Sequence, residues 1–169
     1  MSKATIYISL GSNIEPAKYL QSGLDCLQRE FGELTLSSVY ESEAVGFEGS
    51  NFLNMVVAAQ TDLDVAEVNH LFKQIEAENG RKSGAKKFSP RTLDLDLLLY
   101  DELILNSPVE LPRSEILTNA FVLWPLAEIA PALEHPIAKQ SYAKMWQAYD
   151  KTKQKLWPID FEWPVGQVS

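Results

Sequence analysis

The sequence predicts an α+β fold: a ferredoxin-like βαββαβ sandwich with an extra short hairpin and C-terminal helices, its two long helices covering one face of a mainly antiparallel sheet. Three observations carry this expectation. Two segments, Pro16 to Phe31 and the stretch through Val68, Leu71, Phe72 and Ile75, repeat apolar residues at helical spacing, and each runs into a glycine, Gly32 and Gly80. Short β-prone segments flank them in the order strand, helix, strand, strand, helix, strand. Pro108, Pro112, Pro125, Pro131 and Pro136 then divide the last third into short pieces.

Thr5 to Leu10 is an apolar run of strand length, and Gly11-Ser12-Asn13 supplies the turn after it. Pro16 suits a first helical turn, where its missing N–H would have no partner and its φ is already helical. Leu20, Leu24, Leu27 and Phe31 form the apolar stripe, and Gly32 offers a left-handed stop. Leu34 to Glu41 sets Leu34, Leu36 and Ser38 against Thr35, Ser37 and Val39, which is a strand period. Ser42 to Ser50, holding Gly46 and Gly49, reads as a mobile loop before the strand Phe52 to Gln60. Asp62 or Asp64 with Glu67 has the look of a capping box, and Val68, Leu71, Phe72 and Ile75 continue as a second helical stripe. The basic segment Arg81 to Lys87 forms a loop into the next strand. Asp101 and Glu102 make a tight turn, with Leu103 to Leu105 as a short hairpin partner. Short helices are expected near Phe121 to Ala130 and Gln140 to Tyr149. In the tail, Trp157, Phe161 and Trp163 are too apolar to remain in water, so they pack on the domain or on another subunit.

With 169 residues, 46% hydrophobic and 22% charged, the chain fits one globular domain, 1–169, with a single core. A net charge of −8 speaks against nucleic acid or an anionic membrane as partner, because both demand broad positive fields. The run Ile6 to Leu10 is too short for a secretory core, and no stretch is long enough to span a bilayer, so a cytoplasmic protein is expected. Cys26, the single cysteine, sits beside Leu24 and Leu27 and reads as a buried structural thiol. His70 and His135 lie too far from it in sequence to suggest a transition-metal set. A monomer is expected, with association through the tail as the alternative.

Chemistry concentrates in Lys86-Lys87-Phe88-Ser89-Pro90-Arg91-Thr92-Leu93-Asp94-Leu95-Asp96-Leu97-Leu98-Leu99-Tyr100. As a strand, this stretch puts Thr92, Asp94 and Asp96 on one face and the leucines on the other. The two carboxylates then stand roughly 7 Å apart at Cα. Asp is depleted in strands, so a leucine-rich strand carrying two needs compensating charge. A hard divalent cation provides it. Mg²⁺ binds through one or two carboxylates together with substrate phosphate oxygens, and Arg91 just upstream is a planar fork for phosphate. From the residues alone the alternative is a solvated edge strand with its charges in water.

Ser89-Pro90-Arg91-Thr92-Leu93-Asp94-Leu95-Asp96-Leu97-Leu98-Leu99 closely resembles the signature of the 6-hydroxymethyl-7,8-dihydropterin pyrophosphokinases of folate biosynthesis. Ile8-Ser9-Leu10-Gly11-Ser12-Asn13 and Asn119-Ala120-Phe121-Val122-Leu123-Trp124-Pro125-Leu126 resemble further blocks of that family, and the likeness runs roughly from Ala4 to Trp146. The resemblance implies the same fold and an ATP-dependent diphosphotransferase that moves the β,γ-diphosphate of ATP onto a pterin alcohol and leaves AMP. It implies two Mg²⁺ ions held by Asp94 and Asp96, with ATP as co-substrate. Asp94, Asp96 and Arg91 are then the expected catalytic residues. Asp96 also lies nearest the hydroxymethyl group, although a metal-bound carboxylate is a poor base. For the pterin, the resemblance implies Phe52 and Phe121 on the ring faces, Asn54 on the pyrimidine edge, and main-chain groups of the segment Ser42 to Val45 completing that edge. Singly, either phenylalanine also reads as core. For ATP it implies Glu76, Arg81, Lys87, Phe88, Arg91, Leu97 and Arg113, with Phe88 replacing a tryptophan.

The match thins around the phosphates. Ser83 stands where the family has an arginine, Pro112-Arg113 where it has Pro-His, and Asn119 where it has another arginine; a further family arginine falls near Pro108. Arg113 restores one charge, and Lys82, Lys86 and Lys87 supply others without arginine's bidentate fork. Two readings stand at this point: a working enzyme with a rearranged phosphate clamp, or a diverged relative that binds pterin with its transfer lost or altered.

Overall fold

The computed structural model describes residues 3–43, 51–80, 92–152 and 154–163. Along the chain these form β1 (Ala4–Ser12), α1 (Pro16–Phe31), β2 (Thr35–Leu36), β3 (Val39–Ser42), β4 (Phe52–Thr61), α2 (Val65–Glu78), β5 (Asp94–Tyr100), α3 (Glu115–Thr118), α4 (Ala120–Ile129), α5 (Tyr142–Ala148) and β6 (Leu156–Ile159). The strands make one six-stranded sheet in the order β5-β1-β4-β3-β6, with β2 also paired to β4, and every pairing is antiparallel. The protein is thus a mixed α/β structure built on an antiparallel sheet.

The period of two along β1 sorts the core into two layers. Ile6, Ile8 and Leu10 pack with Leu20, Leu24 and Leu27 of α1 and Val68, Phe72 and Ile75 of α2. Tyr7 turns to the other face and packs against Val122, Leu123 and Leu126 of α4 and the buried Tyr142 of α5. Helices therefore cover both faces of the sheet. Cys26 is free and buried, a structural position as expected. Among the described residues no helix is long and apolar enough to cross a membrane.

Both long helices begin and end on the chemistry their sequences advertise. Pro16 occupies the first turn of α1, and Gly32, at φ 82°, returns its N–H to Gln28 O at 2.8 Å. For α2, the cap is Asp64: its Oδ1 accepts the Glu67 N–H at 2.8 Å while Glu67 Oε1 accepts the Asp64 N–H at 3.0 Å. Gly80 follows at φ 88°.

Elsewhere the structure corrects the expectation. Gly11 and Ser12 do not turn; they continue β1, Gly11 between two partner strands and Ser12 beside β4 alone. The single strand expected over Leu34 to Glu41 is broken into β2 and β3, because Ser37 exchanges its N–H and Oγ with the main chain of Val56 and Ser38 bonds Glu128 of α4. The leucines of β5 do not keep to one face. Ile8 pairs with Leu97 and Tyr7 with Leu99, so Leu98 is an extra residue, and Leu98 and Leu99 both join the α4 side of the core. Leu105 bridges Leu111 and makes no hairpin with β5. Helix α3 was not anticipated. Ser42 closes β3, while the rest of the loop expected from Ser42 to Ser50 lies, at 44–50, outside the described residues, as does the basic loop within 81–91.

The tail packs on its own domain. β6 pairs with β3 from Val39↔Ile159 to Ser42↔Leu156, and Phe161 and Trp163 then pack on the α1/α2 side of the core. Trp163 Nε1 donates to Asp25 Oδ1 at 2.8 Å, and Gln21 Nε2 to Glu162 O at 2.8 Å.

Candidate active site

Several of the candidate residues meet in a row across β5, β1, β4 and β3, near the C-terminal end of β1. Gly11 of β1 pairs with Asn54 of β4 on one side and Asp94 of β5 on the other. Directly paired residues project to the same face, so the carboxamide and the carboxylate flank a position that has no side chain. A side chain there would crowd the carboxamide: a Cβ built on Gly11 would stand 2.8 Å from Asn54 Oδ1, so Asn54 would have to shift. In the next row Asp96 pairs with Ser9, which is buried. Asp94 and Asp96 share the face turned to α4, away from Leu95 and Leu97.

On the other side of Asn54, Tyr40 and Ser42 of β3 continue the same face. Asn54 Nδ2 approaches Ser42 Oγ at 3.5 Å, and Phe52 pairs with Ser42. The floor is braced from α4: Trp124 packs on Tyr40 with ring centroids 4.6 Å apart, and Tyr40 O–H donates to Glu128 Oε1 at 2.7 Å. Phe121, half-buried, lies one turn before Trp124 on the same helix.

Burial pushes the Asp96 carboxyl up to about 6, against the pull of Arg113 and with further lift from Asp94, Glu115 and Glu76. Arg113 reaches it directly. Its N–H bonds Leu98 O at 3.0 Å, its Nη2 stands 3.3 Å from Asp96 Oδ1, and its Nε donates to Glu115 Oε1 at 2.9 Å. This donor set suits a divalent cation that completes its shell from a substrate. Asp94 and Asp96 are two hard oxygen donors on one face, and at Asp96 burial outweighs the pull of Arg113. Among the described residues no group of three or more His, Cys, Asp or Glu could hold an ion alone. Mg²⁺ bound by one or two carboxylates and phosphate oxygens has that requirement.

Of the residues expected to contact ATP, Glu76 is buried and accepts the Leu95 N–H at 2.8 Å, satisfying the free edge of β5, with Lys73 Nζ 3.6 Å away. The Leu97 side chain lies in the α1/α2 core, so a nucleotide there would meet its main chain. Val45, Arg81, Lys87, Phe88 and Arg91 fall outside the described residues. Sequence reasoning missed the part taken by Ser9, Gly11, Tyr40 and Glu115. A glycine inside an apolar strand is a recognised sign of close approach, and it was the one available signal.

Paired carboxylates beside a carboxamide on one face of an antiparallel sheet are the groups with which an enzyme can hold a metal ion and a polar small molecule. Comparison with known proteins goes further. Residues 7–131 match the family model described as 7,8-dihydro-6-hydroxymethylpterin-pyrophosphokinase (HPPK), and the chain belongs to that family. The 2-amino-4-hydroxy-6-hydroxymethyldihydropteridine pyrophosphokinase of Aquifex aeolicus is 40% identical over 141 residues, covering 81% of this chain and 87% of that one. The Porphyromonas gingivalis protein of the same name is 39% identical over 142 residues, covering 80% of this chain and 96% of its own. Among solved structures, wild-type Plasmodium falciparum HPPK-DHPS superposes with a TM-score of 0.71 at 12% identity over 88% of this chain. This chain spans 45% of that longer one, and the likeness speaks for the fold alone.

Proposed function

We propose that this protein transfers the β,γ-diphosphate of ATP to the hydroxymethyl group of 6-hydroxymethyl-7,8-dihydropterin, releasing AMP, as a step of folate biosynthesis. The observation that supports this reading is the row Asp94, Gly11, Asn54, in which a carboxylate and a carboxamide flank one gap. The pterin hydroxyl oxygen bonds to the β-phosphorus, the bond from that phosphorus to the oxygen shared with the α-phosphate breaks, and AMP departs with that oxygen. The hydroxyl proton passes to Asp96 or to water.

Asn54 reads the pyrimidine edge with main-chain groups of Ser42 and Val45, and Phe52 and Phe121 hold the ring faces. Arg81, Lys87, Phe88, Arg91, Leu97 and Glu76 form the nucleotide side. Two Mg²⁺ ions held by Asp94 and Asp96 supply charge neutralisation when bound. Arg113, now paired with Asp96, exchanges that carboxylate for a phosphate oxygen in the nucleotide complex. The order β5-β1-β4-β3 around α1 and α2 supports the ferredoxin-like arrangement, within one cytoplasmic domain over 1–169.

The test is AMP release from Mg-ATP with and without the pterin alcohol. Release that requires the alcohol supports the reading. Pterin binding without release would leave a diverged pterin-binding relative, and absence of both would reject the assignment.

A further inference from the structure

We infer that Gln154, in the segment before β6, is a positioning residue for the pterin side of the site; the inference rests on the function proposed above. Its basis is an anomaly at the start of α4. Asn119 is the N-cap residue of that helix, yet its side chain makes no capping bond. Asn is among the best N-caps, so something else holds it. Asn119 Nδ2 donates to Glu115 Oε2 at 3.1 Å, and Asn119 Oδ1 accepts from Gln154 Nε2 at 3.3 Å. Gln154 Oε1 then accepts the Ala120 N–H at 2.6 Å. The cap of α4 is therefore supplied from 34 residues downstream.

The polarity of this relay is fixed at both ends, because a carboxylate only accepts and a main-chain N–H only donates. Neither amide can turn over without losing its bonds. From Glu115 the relay continues through Arg113 Nε at 2.9 Å, and Arg113 Nη2 reaches Asp96 Oδ1 at 3.3 Å. One end is thus a site carboxylate and the other is the first turn of the helix that carries Phe121. Tyr149 O–H, donating to Thr118 O at 2.7 Å, ties the same junction to the end of α5. Gln154 lies beyond the residues 7–131 that match the family, so this brace is a property of the chain's own tail.

The experiment compares wild type, Gln154→Ala and Gln154→Glu by steady-state kinetics with each substrate varied in turn, and by thermal unfolding. Glu at 154 keeps an oxygen for the Ala120 N–H, with a charge that suits a helix N-terminus, and gives up the donor to Asn119. Gln154→Ala is expected to raise KM for the pterin alcohol roughly fivefold while KM for ATP stays within about twofold; Gln154→Glu is expected to return the pterin KM close to wild type. A structural role alone would lower Tm and the active fraction without favouring one substrate, so unchanged pterin KM in Gln154→Ala overturns the inference. Should that variant not fold, a several-fold loss of pterin affinity in Gln154→Glu overturns it equally. If wild type releases no AMP, the function proposed above fails, and the same contrast is then read by calorimetric titration of the pterin.

Discussion

Asp96 sits under opposing influences whose balance has a measurable sign. Burial holds its carboxyl at about 6, above the ordinary carboxylate range, with Arg113 pulling down and Asp94 pushing up. The folded form therefore binds this proton more tightly than the unfolded chain, and the contribution of Asp96 to stability falls as pH rises between about 4 and 6. In metal-free protein, chemical denaturation of wild type and Asp96→Asn across that range should show wild type losing ground to the variant as pH rises. A difference that stays constant with pH would contradict the assignment. With Mg-ATP and the pterin alcohol, Asp94→Ala and Asp96→Ala should each abolish AMP release while circular dichroism keeps its native form; normal turnover in both would remove these residues from the site. At Gly11 the expectation is geometric. Alanine there would press on Asn54 Oδ1 from 2.8 Å, so Gly11→Ala should weaken pterin binding by calorimetry, by about 1–3 kcal/mol, and unchanged affinity would show that the carboxamide is not used. The paired aspartates stood out as residue types in a motif, whereas Asn54 was expected only from the family resemblance. The part played by Gly11 was not legible, because a glycine closing an apolar run signals a turn equally well, and only its pairing with residues 54 and 94 reveals the gap it keeps open.

Among the elements, α1 and α2 were legible because capping is local chemistry: Pro16, Gly32 and Glu67 act within a few residues of themselves, and the structure decides between Asp62 and Asp64 as the cap of α2 in favour of Asp64. The break between β2 and β3 was hidden for the opposite reason. It is set by Val56 and Glu128, and neither lies near Ser37 and Ser38 in sequence. The bulge at Leu98 is equally silent, since a run of leucines offers no alternation to interrupt. Capping also gives a test that separates scaffold from site. Asp64 stands beyond Thr61, at the end of the sheet where Thr61 meets Ala4, remote from the row at Gly11. Asp64→Ala should lower the free energy of unfolding by about 1 kcal/mol and leave AMP release at the wild-type rate. A loss of activity larger than the loss of folded protein would mean that α2 transmits its cap to the site through Glu76 and Leu95.

At the scale of the molecule, the tail resolves a question the sequence posed without answering. Trp157, Phe161 and Trp163 had to pack somewhere, and the structure sends the chain along β3 and then over α1. Phe161 and Trp163, partly buried, pack against the core, while Trp157 remains 38% exposed on the new edge strand. Which surface Phe161 and Trp163 chose was not legible, because an apolar residue favours burial without saying against what, and Trp157 departs from the expected packing by staying exposed. The consequence concerns edges. Without β6, Val39–Ser42 would present unpaired main-chain donors and acceptors, and an open β edge is a template for another chain. Pro158 within β6 has no N–H to offer a further strand, so the tail also ends the sheet. Deleting 156–169, which spares Gln154, should therefore lower Tm and promote self-association that light scattering detects as a concentration-dependent rise in mass. A truncated protein that stays at its wild-type mass and melts at the wild-type temperature would show that β3 tolerates an open edge and that the tail contributes nothing to the fold.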